Sequence, residues 1–228
     1  GHDPPAQGRH TLRRQAELQL RSRCQADGAP PKFEVLVHDP AGPLRGLALL
    51  PPASKNDVWF DIEGFPLVEG GLEYLLGVVH LVQGEPEFRD WWAHDPPQEK
   101  ASFEAFVDWI HTRWVEDHSM HVYHYASYET TAMKRLMGRH GTREAKVDDL
   151  LRNEVFVDLY RVVRQGVLFG SSSYSLKEVE KLYRGGRSGG VQDATGSVVQ
   201  YARWLDSGQP ADWRESAILR EIRDYNED

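Results

Sequence analysis

Three apolar runs follow one another with only short breaks between them: DVWFDIEG from Asp57, GLEYLLGVVHLVQG from Gly71 and PEFRDWWAH from Pro86. Runs this close together lack room for a crossover, so they read as an antiparallel meander. The first alternates, with Val58, Phe60 and Ile62 on one side and Trp59, Asp61 and Glu63 on the other. The second suits a central strand. In the third, the proline stands at the start, where a strand tolerates it.

The meander is followed by PPQEKASFEAFVDWIHTRWVEDH, whose Phe103, Phe106, Val107, Ile110 and Trp114 recur at helical spacing and predict one face packed on the sheet. MHVYHYA reads as a fourth strand, and SYETTAMKRLMGRHG as a helix ending at Gly141. EVFVDLYRVVRQG supplies a short extended piece, SYSLKEVEKLY a helix capped by Ser173 or Ser175, and RGGRSGG a loop. SVVQYARWLDSG and DWRESAILREIRDYNED read as closing helices. Before the meander, residues 9–26 read as a polar helix, and KFEVLVH and LRGLALLP as strand-like pieces. Three strands, a helix, a further strand and more helices make an α/β sandwich. The expected division is a connector over residues 1–50 and a main domain over 51–228.

With 228 residues and 40% apolar content, the chain can bury one good core with a small appendage. No apolar run approaches the length of a membrane span, and the opening GHDPPAQGRHTLRRQ does not read as a signal peptide. A single cysteine, Cys24, excludes an internal disulfide and a cysteine zinc cluster, which fits a reducing cytoplasm. A net charge of −8 argues against a basic nucleic-acid coat, but not against a site fed by a local basic strip.

Asp61 and Glu63 stand about 7 Å apart on one strand face. Like charges this close are unfavourable near a core unless a cation sits between them, and Mg2+ takes such hard oxygen ligands. The plain alternative, two acids facing water, is weakened by the Phe60 and Ile62 that enter the sheet beside them. Glu129 opens the helix after the fourth strand, where an acid also suits the helix dipole. Tyr225 shares a helical stripe with Ile218 and Ile222.

In this order, FDIEGFP with LEYLLGV, VYHYASYE, SYSLKEVEKLY and YNED resemble the DEDD-type 3′→5′ exonucleases of the ribonuclease H-like superfamily, in the tyrosine subgroup. More narrowly, they look like the ribonuclease H-like domain of predicted RecB-family nuclease–helicase fusion proteins. The resemblance covers about residues 50–228 and implies an α/β ribonuclease H-like fold with a mixed central sheet. It further implies two Mg2+ or Mn2+ ions and single-stranded DNA as substrate, with RecB-like nuclease and helicase domains in the same polypeptide. On this likeness Asp61 bridges both ions, Glu63 ligates the water-activating one, and Glu129 stands where the family has Asp. Tyr225 orients the attacking water. The subgroup's Tyr-x-x-x-Asp spacing falls one residue past Asp228, so either Asp228 serves or the last ligand follows it. Phosphate contacts are expected from Lys134, Arg135, Arg139, Lys177, Arg184 and Arg187, and base stacking from Trp91 or Tyr174.

The competing readings are a catalytically weak nucleic-acid-binding platform and a structure-selective endonuclease on the same fold. A zinc site on His121 and His124 fails because they point to opposite strand faces. RGGRSGG lacks the Gly-Lys-Ser/Thr of a phosphate-binding loop, and GSSSYS is no nucleophile elbow.

Overall fold

A computed structural model describes residues 6–26, 28–184 and 194–227, without the side chains of 6–9, 194 and 195. In chain order the elements are α1 (Ala6–Arg23), β1 (Phe33–Val35), a 3-10 turn (Gly46–Leu49), β2 (Val58–Phe65), β3 (Leu72–Val82), β4 (Glu85–Trp92) and α2 (Pro96–Glu116). There follow β5 (Val122–His124), α3 (Tyr128–His140), α4 (Glu144–Arg152), β6 (Phe156–Asp158), α5 (Leu159–Gly166), β7 (Val167–Phe169), α6 (Leu176–Glu180), α7 (Ala194–Ser207) and α8 (Ala217–Glu227). They form two compact units, one from Gly1–Pro51 with Leu159–Arg187, the other from Pro52–Asp158 with Ser188–Asp228.

The second unit holds a five-stranded mixed sheet in the order β4-β3-β2-β5-β6. The meander is antiparallel, whereas β5 pairs parallel to both β2 and β6. This is an α/β architecture consistent with a ribonuclease H-like fold. On one face, Val58, Phe60 and Ile62 pack with Leu76 and Val78 against Phe103, Phe106, Val107 and Ile110 of α2. The Phe60 and Phe106 rings stack with centroids 4.4 Å apart. Asp95 starts α2 by accepting the Gln98 N–H at 2.8 Å, with prolines in the first turn where no backbone donor is needed. The second core joins Phe65, Leu72, Tyr74 and Leu75 to Tyr201, Trp204, Leu219 and Ile222 of α7 and α8. Between them β3 carries a bulge opposite β2: Glu63 pairs with Leu75 while Gly64 pairs with Glu73, so Tyr74 is the extra residue.

In the first unit β1 pairs antiparallel with β7, and Gln15 of α1 bonds the Phe169 carbonyl. Tyr174 donates to the Val167 carbonyl at 2.9 Å and is buried. It is therefore not the exposed stacking aromatic expected from the sequence.

The sequence reading and the structure differ at further points. LRGLALLP forms the 3-10 turn, not a strand: Gly46 has φ +60°, and a Cβ on Gly166 would lie 3.0 Å from the Gly46 Cα. That close crossing of two glycine backbones requires a tight turn. EVFVDLYRVVRQG holds its short extended piece at Phe156–Asp158, but a helix follows from Leu159 that the sequence reading lacks. Helix α4, with Val147 and Leu150 buried, goes unread in the sequence. The last helix begins at Ala217 instead of Asp212, because Ser216 accepts the Leu219 N–H at 3.2 Å and caps it.

Candidate active-site cleft

Where the end of β2 runs beside the bulge of β3, the second unit opens into a cleft of about 580 Å³. Its lining includes Asp61, Glu63 and Gly64 of β2, Glu73 of β3, Tyr128, Glu129 and Arg135 of α3, and Val198 of α7, with Gly70 and Gly71 of the β2–β3 turn. The structure thus brings together Asp61, Glu63 and Glu129, three of the acids singled out from the sequence.

Strand alternation sets the two β2 acids on one face, and their surroundings differ along the strand, with Glu63 next to the bulge of β3. Asp61 is exposed and its Oδ1 accepts the Ile62 N–H at 2.8 Å. Glu63 is buried, and its Oε1 accepts the Asn226 Nδ2–H at 3.3 Å. Glu129 is placed by the turn into α3. Ala126 holds φ +72°, a left-handed conformation that costs a residue with a Cβ, and its N–H is fixed by Asp158 Oδ1 at 2.9 Å. Asp158 is a positioning group here. Glu129 is buried with its Oε2 3.3 Å from His124 Nδ1, without hydrogen-bond geometry, and neither atom has another partner among the described residues.

A second set of acids holds the rim. Glu73, almost wholly buried, accepts the Tyr128 O–H at 3.0 and 3.1 Å and pairs with Arg135. Burial, followed by the Glu63, Glu129 and Asp61 carboxylates, raises the Tyr128 pKa, so the phenol keeps its proton. Burial and Glu63 do the same to Tyr74. Glu99 of α2 is fully buried and takes Arg139 Nη1 at 3.0 Å, His140 Nε2 at 2.7 Å and the Glu73 N–H at 2.7 Å. Arg139 also donates to the Gly70 and Gly71 carbonyls, tying the β2–β3 turn to α3.

The remaining expected residues are distributed as follows. Arg139, expected at a phosphate, commits its guanidinium to Glu99 and the turn; Arg135 pairs with Glu73 while lining the cleft. Lys134 is exposed on α3, and Lys177 and Arg184 belong to the first unit. Tyr225 is half-buried on α8 against the second core, one residue from the Asn226 that reaches Glu63. Asp228 and Arg187 lie outside the described residues. Trp91 packs on Phe106 and Trp109. Sequence reasoning missed Glu73, Glu99, Asn226, Asp158 as a positioning group, and the part played by Tyr128. Glu73 left a signal, an acid inside an apolar run, since a buried carboxylate needs partners.

The donor chemistry fits a hard divalent cation. Asp61, Glu63 and Glu129 share one cleft with Glu73, which Tyr128 and Arg135 already engage, and the buried Glu129 Oε2 has no hydrogen bond to satisfy it. Among the described residues no three His, Cys, Asp or Glu side chains already stand close enough to cage an ion. No helix among them is long and apolar enough to cross a membrane.

Searches of curated proteins and of solved structures found no match. A family model for the RNase H superfamily matches residues 58–228, from the first residue of β2 through the last helix. With three-quarters of its length matched, the chain belongs to the RNase H superfamily and carries a nuclease-type domain.

Proposed function

We propose that this domain is a divalent-metal-dependent nuclease that shortens single-stranded DNA from its 3′ end, within a longer nuclease–helicase polypeptide. The observation that carries this reading is the meeting of Asp61, Glu63 and Glu129 in one cleft of a superfamily member. A phosphodiester approaching these three acids is repelled by them unless cations intervene. Two Mg2+ or Mn2+ ions bound by these acids would supply Lewis acidity to the phosphate and lower the pKa of a bound water.

The chain's own groups have separate tasks. Asp61, exposed at the cleft, is the acid most open to ions and substrate. Glu63 is held by the Asn226 amide, so its carboxylate is oriented before anything binds. Glu129 presents a buried carboxylate whose one unsatisfied oxygen gains from a cation. Tyr225 is assigned to orient the attacking water and Asp228 to complete the acid set; the neighbouring Asn226–Glu63 bond supports this placement of α8. Lys134, Arg135, Lys177, Arg184 and Arg187 are the proposed phosphate contacts.

The test is cleavage of 5′- and 3′-labelled single-stranded DNA with Mn2+, Mg2+ and EDTA. Stepwise 3′ shortening that needs metal and disappears in Asp61→Asn supports the reading. A well-folded, full-length protein without metal-dependent cleavage refutes it. The lack of a preformed three-ligand cage among the described residues favours, as second reading, a nucleic-acid-binding platform; DNA binding without cleavage identifies it. Cutting of circular single strands would instead reveal an endonuclease, since an exonuclease needs an end.

A further inference from the structure

Tyr128 is nearly half exposed, at 47%, yet its phenol is fixed as firmly as a core group. The O–H donates to both oxygens of Glu73, whose own exposure is 1%, and Glu73 is paired with Arg135. Burying a carboxylate costs free energy unless it is paired and hydrogen-bonded. The space for this arrangement comes from Gly64: a Cβ there would overlap the phenol oxygen and lie 2.6 Å from Glu73 Oε2. A bare backbone position, a buried acid and a guanidinium thus combine to hold one ring in the cleft.

The direction of the bond decides what the ring can do. Because its proton goes to Glu73, the phenol oxygen offers lone pairs to the cleft. An acceptor beside Asp61, Glu63, Glu129 and Glu73 repels phosphate and attracts a hydroxyl donor. In a nucleic-acid strand, a donor within one nucleotide of a scissile phosphate at the acids is the hydroxyl of the terminal sugar. We infer that Tyr128 is a substrate contact, its oxygen accepting a hydrogen bond from the terminal 3′-hydroxyl of a single strand while Glu73 and Arg135 keep it aimed. This rests on the nuclease reading and adds to it an end-recognising residue.

The experiment measures binding separately from turnover. Fluorescence anisotropy, with Ca2+ replacing Mg2+, compares 5′-labelled single-stranded DNA ending in a 3′-hydroxyl with the same strand ending in a 2′,3′-dideoxynucleotide. The wild type should prefer the hydroxyl by about fivefold, the worth of one neutral hydrogen bond. Tyr128→Phe, checked for folding by circular dichroism, should bind both strands alike. Gly64→Ala, which displaces the phenol without altering it, should lose the same preference, and it stands in if Tyr128→Phe misfolds. Equal binding of both ends by the wild type overturns the inference, as does a preference that survives in a folded Tyr128→Phe. A parallel cleavage assay with Mn2+ separates the failures: absent cleavage refutes the nuclease reading, whereas cleavage with no hydroxyl preference refutes only the role of Tyr128. In that assay Tyr128→Phe should raise KM for hydroxyl-ended strands more than it lowers kcat.

Discussion

Replacing Glu99 with Gln keeps the volume and the oxygen that accepts the Glu73 N–H, but removes the charge facing Arg139 and His140. Two hydrogen bonds that end on the charged carboxylate, from Arg139 and His140, are weakened, each worth about 1.5–3 kcal/mol. Breaking a buried pair from one side costs roughly 3–5 kcal/mol because the partner charge stays behind. Arg139 is 27% exposed and keeps the Gly70 and Gly71 carbonyls, so water and backbone offset part of that cost. The expected loss is about 3 kcal/mol, or ~6–12 °C in the melting temperature of a domain this size. Urea unfolding should show a lower midpoint at unchanged slope. Arg139→Met should cost a similar amount, and the double variant at least ~1 kcal/mol less than the sum of the singles. A loss below about 1 kcal/mol for Glu99→Gln would refute the reasoning. So would an Arg139→Met protein that melts normally but binds DNA more weakly, because Arg139 would then be a phosphate contact instead of a clamp on the turn.

Other outcomes follow from the same geometry. Asp61→Ala should leave metal-free melting unchanged or raise it, because Asp61 is exposed beside two other acids; a collapse would mark a structural role. Mn2+ at about a hundred times its dissociation constant should stabilise the wild type by roughly 2.7 kcal/mol and Asp61→Ala far less, as read by melting with and without EDTA. Burial, then the Arg113 charge, lowers the His80 pKa, so the fold prefers the neutral ring while the unfolded chain takes up a proton below about 6.5. The stability this contributes is present above that pH and is lost as the pH falls towards the folded value. Urea midpoints between pH 7 and 5 should therefore fall less in His80→Phe than in wild type, and equal slopes would contradict this. Gly166→Ala places a methyl 2.9 Å from the Leu47 nitrogen and should cost about 1–3 kcal/mol in the first unit; no change in urea midpoint would mean the crossing is loose.

The parts legible in the sequence were those governed by local periodicity. Alternation in DVWFDIEG identified β2 and set Asp61 beside Glu63, and the Phe103–Trp114 stripe identified α2. Elements decided by distant partners were hidden. LRGLALLP resembles a strand, but the Gly46–Gly166 crossing overrides its apolar pattern, and β7 exists because β1 pairs with it. At the site, motif spacing pointed to Glu129, but nothing local shows that Ala126 needs Asp158, or that Glu73 and Glu99 would absorb Arg135 and Arg139. Basic residues on a helix look alike in sequence whether they meet phosphate or a buried carboxylate two strands away.

The first unit is sewn from both sides of the sheet in the sequence: β1 lies near the chain start, and its partner β7 is made after β6. During synthesis, therefore, α1 and β1 leave the ribosome well before Gly166 and Phe169 exist, and must wait unpaired while β2 to β6 emerge. Trimming the chain at Pro51 would strip β7 of its only pairing strand among the described residues and Tyr174 of the Gln15 side chain. Such a shortened protein would carry an exposed strand edge prone to self-association, so β1 acts as a folding partner for β7.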